Sequence, residues 1–183
     1  MPRRWIAPVS SAGLTDLRRP QPLDLARHDR SSFDSGEATL DEWLRRYAGQ
    51  NRRRDTAATW VIASTDDQVV AYASLAMTAI DRSTAPRLVA KHAPDPVPAL
   101  LLGRLAVDHR HSGLGIGTAL VAHVLATALE LNTKAACRAV IVTALNRRAR
   151  RWWERLGFHP FDPHDPTNTD LYLLASEIEA TLQ

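Results

Sequence analysis

Cysteine, lysine, aromatic residues and long apolar runs are all scarce in this chain, and several of these shortages exclude something. Cys137 is the single cysteine among 183 residues, so no intramolecular disulfide can form. One unpaired thiol is compatible with a reducing, cytoplasmic location. No stretch approaches the roughly 20 apolar residues that a membrane span requires; ALLLGRLAV at 99–107 is interrupted by Gly103 and Arg104. The opening MPRRWIAPVSSAGL has two arginines but no continuous apolar segment behind them, and reads as no secretory signal. Neither C-x-x-C nor H-x-x-x-H spacing occurs, so no metal site is expected. No internal repeat is present.

Lysine is nearly absent: Lys91 and Lys134 are the only two among 23 basic residues, and the rest are arginine. Genomic base composition alone can produce that skew. The placement is more informative, because the arginines gather in two blocks, Arg45, Arg46, Arg52, Arg53 and Arg54, and then Arg147, Arg148, Arg150, Arg151 and Arg155. Either block alone reads as a solvated helix face. Two blocks on a chain of net charge +3 and pI near 9.5 make an RNA-backbone surface a reasonable expectation, with Arg45, Arg46, Arg52, Arg53, Arg147, Arg148, Arg150 and Arg151 as its candidates.

Residues 1–20 lack periodicity and are expected to be a flexible tail; 21–183 read as one domain. PLDLARH at 22–28 alternates like a short strand. In TLDEWLRRYAGQNRRRD, Thr39 and Glu42 stand at capping-box spacing, and Leu40, Trp43, Leu44, Tyr47 and Ala48 share one helical face. ATWVIAS (58–64) and VVAYASLAMTAI (69–80), separated by a polar turn, read as a hairpin. A proline-rich loop leads to the strand at 99–107. Next come a helix over about 117–132, a β-branched strand at 139–145, a helix over about 147–156 ending at Gly157, and a strand at 170–175. The order β-α-β-β-β-α-β-α-β predicts a mixed α/β domain around one sheet.

Between the strand at 99–107 and its helix, SGLGIGT places Gly113, Gly115 and Gly117 at every second position. Bare backbone before a helix N-terminus exposes N–H groups at the positive end of the helix dipole, and a phosphate is the natural occupant. The nucleotide P-loop pattern G-x-x-x-x-G-K-[ST] fails, since Thr118 stands five residues after Gly113 and no lysine follows. A dinucleotide fingerprint fits poorly: the spacing is G-x-G-x-G, and no acidic residue ends the next strand.

LAVDHRHSGLGIGTALV resembles the strand, pyrophosphate loop and helix of the GNAT N-acetyltransferase superfamily. NRRARRWWERLGF (146–158) resembles its second signature, N-x-x-A-x-x-F-Y-x-K-x-G-F. Further upstream, FDSGEATLDEWLRRYAGQNRR (33–53) and RLAVD (104–108) resemble the acetyltransferase toxins that pair with ribbon-helix-helix antitoxins. The likeness extends from about Pro22 to Leu174. It implies an α+β GNAT fold: a mixed, mostly antiparallel sheet splayed at its central parallel strands, with helices on both faces. It also implies acetyl-CoA as the bound thioester. By motif position, the backbone of Leu105, Ala106 and Val107 would serve the pantetheine arm, with the Val107 N–H on the thioester carbonyl. Ser112, Gly113, Leu114, Gly115, Ile116, Gly117 and Thr118 would take the pyrophosphate. Asn146 either contacts the cofactor or caps its helix.

Two positions depart from the family pattern. Ser112 stands where an Arg or Gln usually precedes the first glycine, although Arg110 is near enough in sequence to substitute. Trp153 stands at the tyrosine that protonates the departing thiolate in many relatives, and an indole N–H has no accessible pKa for that task. Tyr72, Tyr172, Asp108, His109 and His111 are the remaining candidates for proton transfer. The resemblance implies a toxin that acetylates the α-amine of aminoacyl-tRNA and blocks translation, with charged tRNA, a ribbon-helix-helix antitoxin and a second copy in a homodimer as candidate partners. Two alternatives stand beside it: acetylation of a small amine or protein amine, and an acyl-CoA-binding protein that turns over weakly or not at all because of Trp153.

Overall fold

Alternating and β-branched apolar residues make Val69–Ile80 the longest strand of the structure, a computed structural model that describes residues 16–182. In chain order the elements are β1 (Gln21–Pro22), α1 (Ala38–Glu42), a π-helical turn (Trp43–Tyr47), α2 (Ala48–Arg53), β2 (Ala58–Ala63), β3 (Val69–Ile80), α3 (Arg87–Ala90) and β4 (Val97–Val107). A 3₁₀ turn (His109–His111), α4 (Ile116–Asn132), β5 (Ala139–Thr143), α5 (Arg147–Arg155), β6 (His159–Pro160), β7 (Asp170–Leu174) and α6 (Ala175–Leu182) follow. The strands form a seven-stranded sheet in the order β1-β2-β3-β4-β5-β7-β6. β4 and β5 run parallel over Ala99–Leu101, whereas β1–β2, β2–β3, β5–β7 and β6–β7 are antiparallel. The mixed, mostly antiparallel α/β architecture expected from the sequence is the one present.

The chain divides into two compact units, residues up to Ala76 with Arg104–Val124, and Met77–Gly103 with Leu125 onward. In the former, Phe33, Trp43, Leu44, Ala48, Val61, Val69, Tyr72 and Ala106 close one core. Trp43 stacks on Tyr72 with centroids 5.7 Å apart, Phe33 meets the same ring edge-on, and the Arg104 guanidinium lies 4.6 Å above Trp43. The helix beneath them contains an i→i+5 bond from Ala48 N–H to the Trp43 carbonyl. That wide turn rotates the face by one residue and leaves Tyr47, expected inside, 43% exposed.

The capping box expected at Thr39 and Glu42 does not form: the helix starts two residues earlier, with Glu37 at the N-cap and no side-chain cap. Buried Asp41 instead accepts the Ser35 hydroxyl at 2.6 Å and the Ser35 N–H at 3.0 Å, tying the helix to the turn before it. The strand expected at 22–28 shortens to Gln21–Pro22, because Asp24 folds the chain into a turn by accepting the Ala26 and His28 N–H groups. Of the expected tail, 1–15 lie outside the described residues. Leu17 bridges Ser64, and Arg18 donates to the carbonyls of Ser64 and Thr65.

In the other unit, Val89, Ala93, Val97, Ala99, Ala139, Ile141 and Tyr172 form the core. α5 ends in paired bonds, from Gly157 N–H to the Glu154 carbonyl and from Phe158 N–H to the Trp153 carbonyl. This is the Schellman arrangement, in which the residue after the glycine packs on the helix. Phe158 accordingly lies 5.0 Å from Trp153, edge-on. Three elements had no signal strong enough to be expected: α3 and β6 are only four and two residues long, and α6 is set by a side chain. Glu177, three residues into the α6 boundary, accepts the Leu174 N–H at 3.0 Å and lies 2.7 Å from His159 Nε2.

Candidate active site

The end of β4 and the glycine loop are positioned by Asp108. Its N–H donates to Val70 at 2.8 Å, continuing the strand, while its fully buried carboxylate collects four donors. Arg110 contributes its backbone N–H at 3.0 Å, Nε at 2.8 Å and Nη2 at 2.7 Å, and the Asp34 N–H adds a fourth at 3.2 Å. His109 returns to the same turn, with its N–H and Nδ1 2.8 and 2.9 Å from the Asp34 carbonyl. Arg110 Nη2 also reaches the Ser32 carbonyl at 3.1 Å. The turn at 32–36 and the turn at 108–111 are thus stapled together, and the glycine loop leaves from a fixed base.

Gly113 and Gly115 adopt φ of +79° and +82°, which side-chain-bearing residues rarely adopt. A Cβ built on Gly113 meets nothing within 4 Å, so the loop backbone is open to an incoming ligand. The Gly115 carbonyl accepts the Ala119 N–H at 3.0 Å, opening the 17-residue α4, and buried Ile116 fixes its first turn. By helix geometry the N–H groups of Ile116, Gly117 and Thr118 have no intrahelical acceptor. Together with the loop amides of Gly113, Leu114 and Gly115 they form a donor set without acidic side chains, suited to an oxyanion at the positive end of a helix. Ser112 is exposed at the loop entrance. Just before it, Leu105 and Val107 alternate with Ala106, whose side chain belongs to the apolar core.

Of the candidates for proton transfer, Asp108, Tyr72 and Tyr172 are committed elsewhere. Burial pushes the Asp108 carboxyl up, but hydrogen bonds from Arg110 and from the Asp34 N–H outweigh it and bring the pKa down to about 2. Asp108 is therefore a permanent anion that holds the loop, and Arg110 spends Nε and Nη2 on it and on the Ser32 carbonyl. Tyr72 is fully buried and donates its hydroxyl to the Leu40 carbonyl at 2.8 Å; burial drives its pKa far above the ordinary phenol value. Tyr72→Phe is expected to cost about 1–2 kcal/mol of stability in a denaturant melt and leave the turnover number unchanged. A collapse of turnover in a folded variant would return Tyr72 to the chemistry. Tyr172 is buried as well, and burial again raises its pKa. Cys137 is buried beside the Ala139 carbonyl, with its thiol pKa raised by desolvation, and behaves as a packed residue.

On α5, Asn146 is the N-cap, its side-chain oxygen accepting the Ala149 N–H at 2.9 Å. Trp153 is 6% exposed and lies between Trp152 and Phe158, so its ring is part of the core. Among the arginines, Arg150 leaves the expected RNA-facing set. It is buried, pairs with Glu154 at 3.0 Å and donates Nη1 to the carbonyls of Asp165 and Asn168, tying the 165–168 loop to the helix. Arg147, Arg148 and Arg151 are exposed. Arg45 is exposed but places Nη1 on the Phe33 carbonyl at 2.8 Å; Arg46 and Arg52 make exposed pairs with Glu42 and Asp55, and Arg53 is exposed.

This pairing of a β4 strand with a glycine loop at the head of α4 is accompanied by a family match over residues 21–158, and the chain belongs to the acetyltransferase (GNAT) family. It is 34% identical over 154 residues to a tRNA-acetylating toxin of Mycobacterium tuberculosis, covering 84% of this chain and 90% of that protein. Among solved structures it is similar to AtaT complexed with acetyl-methionyl-tRNAfMet, with a TM-score of 0.82 and 26% identity over 92% of this chain and 100% of the other. It is similar also to a mutant AtaT toxin bound to the C-terminus of the antitoxin AtaR and acetyl-CoA, with a TM-score of 0.78 and 25% identity over 92% and 99% of the two chains. Among the described residues no helix is long and apolar enough to cross a membrane, and no cluster of metal-ligating side chains occurs.

Proposed function

We propose that this chain is an acetyl-CoA-dependent N-acetyltransferase that modifies the α-amine of an amino acid charged on tRNA, and that it blocks translation as the toxin of a cytoplasmic toxin–antitoxin pair. The observation that carries the reading is the 34% identity, over 84% of the chain, to a tRNA-acetylating toxin. The donor set of Gly113, Leu114, Gly115, Ile116, Gly117 and Thr118 fits the pyrophosphate of coenzyme A, with Ser112 at its edge. Leu105, Ala106 and Val107 would serve the pantetheine arm through their backbone. When bound, acetyl-CoA supplies a thioester carbon open to attack by an amine. The Val107 N–H would donate to the thioester oxygen, where negative charge develops.

Trp153 has no proton to give at the position of the family's tyrosine. An ordinary thiol has a pKa near roughly 8.5, so a thiolate leaves without protonation more readily than an alkoxide. Loss of a general acid costs roughly 10²- to 10⁴-fold, while the contribution of orientation survives. Exposed Arg147, Arg148 and Arg151, with Arg45, Arg46, Arg52 and Arg53, would read the RNA backbone. The exposed pairs at Arg46 and Arg52 are worth little and yield easily to phosphate. The antitoxin would be a ribbon-helix-helix protein, and a homodimer is part of the same reading.

Transfer of labelled acetyl from acetyl-CoA to a pool of charged tRNA tests it, beside an uncharged control and a Trp153→Tyr variant. Label is expected on charged tRNA alone, falling steeply with salt and rising about tenfold or more in the variant. Absence of label from both proteins, with acetyl-CoA binding intact, would sink the reading in favour of another amine acceptor or a silent acyl-CoA binder.

A further inference from the structure

Away from the glycine loop, the turn at 24–31 borders an open cavity whose lining includes Arg27, His28, Arg30 and Arg45, with Asp29 as its acid. His28 is 3% exposed, and its Nδ1 accepts the Asp24 N–H at 3.0 Å. An amide can only donate, so Nδ1 carries no proton and the neutral ring must carry it on Nε2. That Nε2–H is buried and has no acceptor; the same holds for Nε of Arg30. Two buried donors without acceptors in one turn call for a physical explanation, since nearly all such groups are satisfied in folded proteins.

The surroundings specify the missing partner. Arg45, at the rim, spends Nη1 on the Phe33 carbonyl and has further N–H groups to give. Asp29, the acid of the cavity lining, has both oxygens occupied, by the Ser31 N–H at 2.8 Å and by Gln68 Nε2 at 2.9 Å. Burial, and then the charge of Arg27, lowers the His28 pKa, which keeps the ring neutral and leaves Nε2 a donor only. The turn is also braced from outside: Leu25 lies over Gly49 of α2, so close that a Cβ there would come within 2.7 Å of it.

We propose that His28, Arg30 and Arg45 form a subsite for a phosphate oxyanion, separate from the glycine loop, and that the phosphate belongs to the backbone of the RNA acceptor. The second half rests on the proposed function, and free phosphate is the other source of the same chemistry. The first experiment follows the Nε2–H resonance of His28 in histidine-labelled protein during titration with inorganic phosphate at fixed ionic strength. A saturable shift is expected, not reproduced by chloride and weakened about tenfold in Arg30→Gln. No saturable shift, or an unchanged one in a folded Arg30→Gln, overturns the subsite.

The second experiment measures transfer to charged tRNA by Arg30→Gln. A polynucleotide phosphate predicts a KM for the acceptor raised about three- to tenfold, a salt slope reduced by about one, and no change in the KM for acetyl-CoA. Phosphate binding with an unchanged acceptor KM overturns the RNA source and leaves a free-phosphate site. A wild-type protein that transfers nothing to charged tRNA, yet still shows the saturable shift, refutes the acceptor and not the oxyanion subsite.

Discussion

Asp108→Ala is expected to destabilise the protein by about 2–4 kcal/mol and to weaken acetyl-CoA binding with it. The Arg110 side chain is about half exposed, so water can replace the carboxylate around the guanidinium, and the ion pair itself is a small part of the loss. The larger part comes from the N–H groups of Asp34 and Arg110, which lose an acceptor inside the fold. The pH dependence has a definite sign. The folded pKa, about 2, lies below the ordinary 3.8, so the stabilisation is complete above about pH 4 and disappears as pH falls through 2. A difference of that size is worth about 2 kcal/mol. Urea melts of wild type and Asp108→Asn between pH 7 and pH 2 read it directly: their separation should close toward pH 2. Exposed Asp29, also lowered to about 2 through its Ser31 and Gln68 bonds, contributes equally to both proteins and cancels. An Asp108→Ala protein within 0.5 kcal/mol of wild type at neutral pH would remove Asp108 from its role as the anchor of the loop.

The roles of Asp108 and Arg110 illustrate what the sequence left unread. RLAVD and the glycines are contiguous, so their local pattern announced a strand, a phosphate loop and a helix, and the structure places β4 and α4 within two residues of the expected bounds. Arg110 stands two residues from Asp108, but the Asp34 N–H that completes its donor set lies 74 residues away in the turn at 32–36, and no periodicity reports a hydrogen bond across that distance. The same limit explains Arg150. In sequence it is one arginine of a basic block, and only the 165–168 carbonyls, supplied by a later loop, turn it inward. Tyr47 failed for a different reason: its face assignment assumed 3.6 residues per turn, and the π-helical turn broke that period. Trp153 was legible as a departure from a family pattern. Its burial against Phe158 follows from the Gly157 cap, which the sequence did contain.

The loop itself is best tested by a matched pair of alanines. Gly113 and Gly36 have nearly the same backbone angle, φ of +79° and +82°, and a Cβ on either meets nothing within 4 Å. Alanine at each therefore carries the same left-handed strain, about 1–2 kcal/mol, and no clash with the protein. Gly36 sits in the turn before α1, with its N–H already donated to Asp34 at 2.8 Å. Gly113 opens the donor set at the head of α4. If the space beside Gly113 is where the pyrophosphate approaches the backbone, its methyl group displaces the ligand and Gly36→Ala does not. Both variants should lose similar stability in a thermal melt, while acetyl-CoA affinity falls about tenfold or more, 1.4 kcal/mol, in Gly113→Ala alone. Equal affinities in the two would mean that strain, and not occupancy, accounts for any loss, and the phosphate would have to lie elsewhere on the α4 N-terminus. Calorimetric titration of both proteins with acetyl-CoA separates these outcomes without any acceptor being present, so the test of the loop stands apart from the identity of the amine.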